Sequence, residues 1–408
     1  MANSVILGLD IGSENIKTVI AEPGNGKLRL SYASSKKSFG LRRGAVVDME
    51  EAKKAVADAL KEIRGFYKPA IKNIYVSVSG FGGHYDKTEG TIALGRPGAV
   101  INKNDILRAE TEAAAVPLAP NRKILHTLVN EYIVDGAPDI KDPIGMSAAK
   151  LKVSGMVIDI FTPAYKNLEK IVRSVGGEIS GVVYAPLSAS ISILTKSQKE
   201  NGVALIDMGA ETTSLVVYED NKLIHLNSWP VGSKNISNDL AIALQIPIET
   251  ADKLKVTYGY AVSHDISSRD TIDLKKIDTA VVGTPSRRYV SEVIEARLEE
   301  IFELIDKDLV MIGKSRKLPS GIVLTGGGAK LPGIAELAKH KFKLSTQIGL
   351  VPSGLFEVID HNLLEYVESP EYAVVLGLIL KSEDVGDISL NNDSLLENIK
   401  KVFKRLTP

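Results

Sequence analysis

Apolar stretches flank two short glycine-bearing breaks, and each pair of flanks predicts a β-hairpin. The first runs in through Val5-Ile6-Leu7-Gly8-Leu9-Asp10, turns at Gly12-Ser13-Glu14 and returns as Ile16-Lys17-Thr18-Val19-Ile20. The second enters through Leu205-Ile206-Asp207, turns at Gly209-Ala210-Glu211 and leaves through Thr212-Thr213-Ser214-Leu215-Val216-Val217. With Asp10 set on Asp207, Gly12 falls on Gly209 and Glu14 on Glu211, which points to a duplicated domain. A third stretch, Ile322-Val323-Leu324-Thr325-Gly326-Gly327-Gly328-Ala329-Lys330-Leu331-Pro332-Gly333, reads as an apolar strand, three glycines and a helix start.

Between these stretches the period changes. Lys27–Ala33 and Ile74–Val78 read as strands, and Glu50–Phe66 as a helix with Ala52, Val56, Leu60 and Ile63 on one face. Gly82-Gly83 opens a separate block. It holds a strand at Thr91–Leu94, a helix at Lys103–Val116 capped by Asn102, and strands at Leu125–Val134 and Ala148–Phe161. Then follow a helix at Pro163–Val175, a strand at Ile179–Val183 and a small-residue helix at Pro186–Leu194, whose Ser and Ala allow close packing. Helices are expected at Asn235–Gln245, Ile248–Tyr258, Ser286–Ile312 and Glu371–Leu380. The longest carries Val290, Ile294, Leu298, Ile301 and Ile305 as a stripe. Ser382–Asn392 is a polar linker. Ser394 and Glu397 then form a capping box for a terminal amphipathic helix. Its apolar face is Leu395, Leu396, Ile399, Val402, Phe403 and Leu406, flanked by Lys400, Lys401, Lys404 and Arg405.

Composition adds exclusions. Fifty basic residues balance fifty acidic ones, so an electrostatic partner must be met by a local patch, and nothing global points to nucleic acid. Cysteine is absent, which removes disulfide and thiol chemistry and fits a reducing compartment. The chain enters a strand almost at once, leaving no room for a signal peptide, and runs such as Ala373–Leu380 are too short to cross a bilayer. With 408 residues there is room for two or three domains.

The hairpin tips suggest chemistry. Asp10 and Asp207 are placed to orient a hydrated Mg²⁺ ion. Gly12, Ser13, Gly209, Thr212 and Thr213 offer N–H and O–H groups to phosphate oxygens, and Lys17 offers a neutralising charge. Aspartates beside glycine also occur as plain turn chemistry, and a lysine on a strand is often an edge guard. Neither G-x-G-x-x-G nor G-x-x-x-x-G-K-[ST] is present. The six histidines sit singly, so no metal site is expected beyond Mg²⁺.

In this order and separation the three motifs resemble the phosphate-1, phosphate-2 and adenosine motifs of the actin and sugar-kinase ATPase superfamily. The resemblance narrows to the FtsA family on Ile140-Lys141-Asp142-Pro143-Ile144-Gly145-Met146-Ser147 and on the basic amphipathic tail Leu395–Leu406, and covers essentially the whole chain. It implies an α/β, actin-like ATPase fold, with two duplicated α/β domains around a nucleotide cleft and an inserted, SHS2-like subdomain. The implied boundaries are 1–82 with 163–195 for the first core subdomain, 83–162 for the insertion, 196–231 with 313–381 for the second core subdomain, 232–312 for a helical subdomain, 382–393 for the linker and 394–408 for a membrane-targeting helix.

The resemblance further implies ATP with Mg²⁺ as ligand, with Gly326, Gly327, Gly328 and Lys330 beside the adenine. Asp252 and Lys255 stand where the superfamily contacts the ribose, Asp252 one methylene shorter than the usual glutamate. Ala185, before Pro186, stands where DnaK-type chaperones carry a water-positioning glutamate, which implies slow or absent hydrolysis. Arg297 and Glu300, within Ile294–Glu300, match the stretch that grips the C-terminal peptide of FtsZ. The implied role is a cell-division protein that polymerises, joins other division proteins and ties FtsZ filaments to the cytoplasmic face of an anionic membrane at the septum, as a peripheral protein. A PilM-like pilus-assembly protein is one alternative, and a sugar or acid kinase, which would need a substrate-facing catalytic Asp in the cleft, is the other.

Overall fold

The computed structural model describes residues 5–24, 26–79, 81–95, 98–352 and 354–382. Over these residues the chain forms two compact units, one built from residues before Gly82 and from Asn167 to Ser382, the other from Gly82–Lys166.

The first unit holds two sheets of matching design. In the six-stranded sheet the order is Ile179–Tyr184, Ile74–Val78, Ile6–Ile11, Asn15–Pro23, Leu28–Lys37 and Phe356–Val358. In the five-stranded sheet it is Thr346–Ile348, Ile322–Thr325, Val203–Met208, Thr213–Glu219 and Lys222–Trp229. Each sheet thus sets two parallel strands beside the entering strand of a hairpin, then the returning strand, then one more antiparallel strand. The entering strands Ile6–Ile11 and Val203–Met208 are buried almost throughout, which is why they read as continuous apolar runs rather than alternating ones.

Two helices cross between the sheets, Ala185–Ile193 and Ala373–Lys381. Their closeness comes from small residues. Ser188 Oγ donates to the carbonyl of Val374 at 2.7 Å, and Ser192 Oγ to that of Ala373 at 2.6 Å. A methyl group on Gly377 would stand inside the envelope of the Ser188 carbonyl, and one on Gly8 only 2.9 Å from the Val375 carbonyl. Against the five-stranded sheet pack helices Ser233–Leu244, Ile248–Tyr258, Arg287–Met311 and Ile334–Phe342. The stripe expected on the longest of them is the face it buries: Val290, Ile294, Leu298, Ile301 and Ile305 are each at most 1 % exposed. Each such side chain contributes roughly 1.5–3 kcal/mol of burial.

The second unit is a four-stranded antiparallel sheet in the order Ala137–Ile140, Arg122–Val134, Lys150–Phe161 and His84–Ala93, covered by helix Lys103–Ala114. Asn102 and Asp105 cap that helix reciprocally, side chain to backbone. The strand expected at Thr91–Leu94 in fact starts at His84. Its first residues, His84 to Lys87, are polar or half-buried because this is the sheet's edge, so alternation alone does not reveal them.

Candidate functional site

The two hairpin tips close in the same way. Gly12 N–H donates to the carbonyl of Asn15 at 3.1 Å, and Gly209 N–H to that of Thr212 at 2.8 Å. Each tip carries its aspartate two residues before the glycine. Asp10 is buried, accepts from Ser77 Oγ at 2.6 Å and has Lys17 Nζ at 4.0 Å, directly across the strand pair. Asp207 lies across from Thr325 in the other sheet. Burial, and then the negative charge of Asp10, push the Asp207 carboxyl up to about 6, with Lys17 pulling the other way. Carboxylates from the duplicated hairpins therefore share one electrostatic environment. The donor set, all hard oxygen, fits Mg²⁺.

Lys17 does not guard an edge. Its strand is interior, and its ammonium lies 5.9 Å from the centre of the Tyr372 ring as well as near Asp10. Around the glycines the chain turns sharply at Gly326, whose φ is +84° and which faces Asp207 so closely that a side chain would strike the carboxylate. Gly327–Lys330 then form one 3₁₀ turn, and the following helix begins only at Ile334, beyond Pro332 and Gly333. The glycines thus lead into a turn rather than straight into the helix start expected from the sequence. Gly328 packs on the side chain of Met208, whereas Gly327 has open space beside its Cα. Thr325 Oγ and Gly326 N–H both donate to the Pro370 carbonyl, at 2.8 and 3.1 Å, and Lys330 pairs with Glu371 at 2.9 Å.

Not every residue singled out has free hydrogen-bonding capacity. Lys255 Nζ is buried and donates to Ser233 O, Ser237 Oγ and Asp252 Oδ1, at 3.2, 2.8 and 2.7 Å, which uses all three of its N–H groups. Asp252 also accepts from Ser237 Oγ at 2.7 Å. Burial pushes the Asp252 carboxyl upward, but the hydrogen bonds from Lys255 and Ser237 outweigh it and leave the group below its ordinary value. This cluster pins the start of helix Ser233–Leu244, and that start holds the second tip: Ser233 and Lys234 amides donate to the carbonyls of Gly209 and Ala210 at 2.9 and 2.8 Å. Thr213 Oγ is turned to the Val231 carbonyl at 2.8 Å, and Ser13 Oγ accepts from Gly44 N–H at 2.9 Å. Thr212 closes the second tip through its carbonyl.

Ser77, Lys234, Glu371 and Tyr372 join this site without a sequence signal. Their partners lie far away along the chain, beyond the reach of any local pattern. Ala185 opens its helix with Pro186 next to it.

Arg297 stands elsewhere, on helix Arg287–Met311. Its Nε and Nη2 fork onto Asp239 at 2.5 and 2.9 Å, and its Nη1 meets Glu300 at 2.6 Å. The Asp239 hydrogen bonds raise the guanidinium above its ordinary value. Strand pairing also brings His84 beside Asp159 and near Asp86, a cluster the sequence spacing did not suggest, but Arg122 already meets the Asp159 carboxylate. Leu395, Leu396, Ile399, Lys400, Lys401, Val402, Phe403, Lys404, Arg405 and Leu406 lie outside the described residues.

Two sheets of the same strand order, joined by crossing helices with paired aspartates at equivalent tips, define an actin-like ATPase fold. Solved structures agree. A PilM–PilN type IV pilus biogenesis complex superposes with a TM-score of 0.66 at 18 % identity, over 93 % of this chain and 98 % of that one. MreB 5 of Spiroplasma citri bound to AMPPNP gives 0.54 at 14 % identity, over 98 % and 99 %. The model of cell division protein FtsA matches residues 204–377, and that of the SHS2 domain inserted in FtsA matches residues 83–159. The cell division protein FtsA of Borreliella burgdorferi is 32 % identical over 93 % of this chain and 91 % of its own length. The one from Pseudomonas aeruginosa is 29 % identical over 99 % and 97 %. The chain belongs to the FtsA family of cell division proteins.

Proposed function

We propose that this protein binds Mg²⁺–ATP between its two hairpins, polymerises, and ties FtsZ filaments to the cytoplasmic face of the membrane at the division septum. The convergence of Asp10 and Asp207, from duplicated strands, is the observation that supports the nucleotide reading best. Asp10 and Asp207 organise the metal through water. The amides of the two tips and the hydroxyls of Ser13 and Thr212 address the phosphates, Lys17 balances charge, and Gly327 leaves room for a flat base beside Lys330. Asp252 and Lys255 support the site by fixing the second tip. Sedimentation with anionic vesicles, with and without ATP, followed by electron microscopy of the pellet, tests the whole reading. Wild-type protein that neither pellets nor forms filaments would refute it.

The helical part, residues 232–312, is the proposed seat of the FtsZ peptide, with Arg297 and Glu300 at its centre. Because Arg297 already forks onto Asp239, an incoming carboxylate meets it on the exposed Glu300 side. Arg297→Glu is expected to lower affinity for an FtsZ C-terminal peptide by at least about tenfold, since it inverts a charge as well as deleting hydrogen bonds. ATP affinity is expected to stay the same. Fluorescence anisotropy decides this; unchanged peptide binding would move the partner face elsewhere.

The terminal helix is the proposed anchor. Each basic residue adds about 1 kcal/mol on an anionic surface, and each large apolar side chain up to roughly 2 kcal/mol when fully buried. A helix this short is marginal in water, so binding is reversible and salt-sensitive. Val402→Asp with Phe403→Asp is expected to leave the protein in the supernatant of a liposome spin, with ATP and peptide affinity intact. Normal co-sedimentation of the double variant would show that the tail is not the anchor.

A further inference from the structure

Beyond the two tips, a third element reaches the site. Leu41–Arg42 and Ala45–Val46 pair as a tiny antiparallel ribbon, and its turn, Arg43-Gly44, has both residues at positive φ, +50° and +73°. The base of this ribbon is fixed. Val47 and Asp48 amides both donate to the Gly40 carbonyl, at 2.9 and 3.1 Å, and Asp48 caps the helix Met49–Phe66. Gly44 lies against the side chain of Ser79, leaving no room for a larger residue.

The turn touches each hairpin once. Gly44 N–H donates to Ser13 Oγ of the first tip, and Arg43 N–H to Glu211 Oε2 of the second at 2.5 Å. The other oxygen of Glu211 faces Lys234 Nζ at 3.3 Å, and the same ammonium lies 3.9 Å from Glu14, which Lys37 also pairs. The Arg43 amide and the Lys234 ammonium together make a seat for an anion. In this structure the anion in that seat belongs to the protein. The Glu211 carboxylate is held by one backbone amide and one ammonium, at the tip of the hairpin read above as a phosphate clamp.

We propose that Glu211 is a built-in placeholder for the terminal phosphate of a nucleoside triphosphate. When the triphosphate enters, its outermost phosphoryl oxygens take the Arg43 amide and Lys234, and the Glu211 side chain swings out to solvent. A diphosphate ends short of the seat and leaves Glu211 in place. The glutamate therefore lowers triphosphate affinity without touching diphosphate affinity, and it holds the two tips together through the turn while the seat lacks a ligand. This rests on the nucleotide reading of the site.

The test is calorimetric titration of the full chain with Mg²⁺–AMPPNP and with Mg²⁺–ADP. Glu211→Gln removes the competing charge from a half-buried tip position and is expected to tighten AMPPNP about tenfold while changing ADP less than twofold. The unchanged ADP value doubles as the folding control. In Glu211→Gln/Lys234→Gln the gain is expected to vanish, because the ammonium that would receive the phosphate is gone. AMPPNP affinity in Glu211→Gln that is unchanged or weaker, with ADP still bound, would overturn the placeholder alone. Wild-type protein that binds neither nucleotide would overturn the reading beneath it, and the placeholder with it.

Discussion

Asp207→Asn is expected to melt several degrees higher than the wild type at pH 8 without nucleotide, and to lose the further rise that Mg²⁺–ATP gives the wild type. The two effects have one cause. Burial and the charge of Asp10 hold the Asp207 carboxyl at about 6 in the folded chain, against 3.8 ordinarily. The folded state therefore retains this proton more strongly than the unfolded state does. The sign follows: stability falls as pH rises from about 4 through about 6, and above that the charged carboxylate is a standing cost. Two pKa units correspond to at most about 3 kcal/mol, which at roughly 2–4 °C per kcal/mol is a shift readable by thermal melting. Asparagine removes this cost, so variant and wild type are expected to converge near pH 4. It also removes half of the charge that would organise the metal, so ligand-linked stabilisation, which scales with the logarithm of occupancy, disappears. A variant that melts lower than wild type at pH 8, or that keeps the full Mg²⁺–ATP shift, would show that Asp207 is not a strained, metal-organising carboxylate.

Gly377→Val is expected to cost the first unit about 2–6 kcal/mol in denaturant unfolding. Glycine in a helix interior is intrinsically worse than alanine by roughly 0.5–1 kcal/mol. On propensity alone, then, alanine at 377 would be an improvement. Close approach decides the sign. The Ser188 carbonyl occupies the volume a Cβ needs, and the buried hydroxyls of Ser188 and Ser192 are bonded to carbonyls of the opposite helix. Separating the helices enough for valine breaks those bonds, at about 0.5–1.5 kcal/mol each, on top of overpacking worth 1–3 kcal/mol. Gly377→Ala is expected to fall between. If Gly377→Ala is as stable as the wild type, the crossing is looser than described.

Much of this architecture is legible in the sequence because its strands are unambiguous. The hairpins are announced by apolar flanks and a glycine two residues after an aspartate. The helix expected at Ser286–Ile312 forms over Arg287–Met311, because its stripe from Val290 to Ile305 is continuous for about four turns. The start of strand His84–Ala93 is hidden by its polar edge. The chemistry of the site is less legible, because its second layer is made by distant partners. Nothing near Arg43 foretells Glu211, 168 residues away, and nothing near Asp10 foretells Ser77. Lys255 shows the same limit from the other side: motif matching places it at a ligand contact, and only the structure shows its three N–H groups bonded within the protein.

The core of the six-stranded sheet is shared between the two ends of the described chain. Strand Phe356–Val358 adds to its edge beside Leu28–Lys37, and helix Ala373–Lys381 lies against Gly8. A ribosome delivers residue 7 long before residue 379, so this half waits as an unfinished sheet during synthesis. The five-stranded sheet, spanning Val203–Ile348, and the unit at Gly82–Lys166 draw only on continuous stretches and can close earlier. The six-stranded sheet, which takes its strand Ile6–Ile11 earliest of the three, is thus the last of them to be completed.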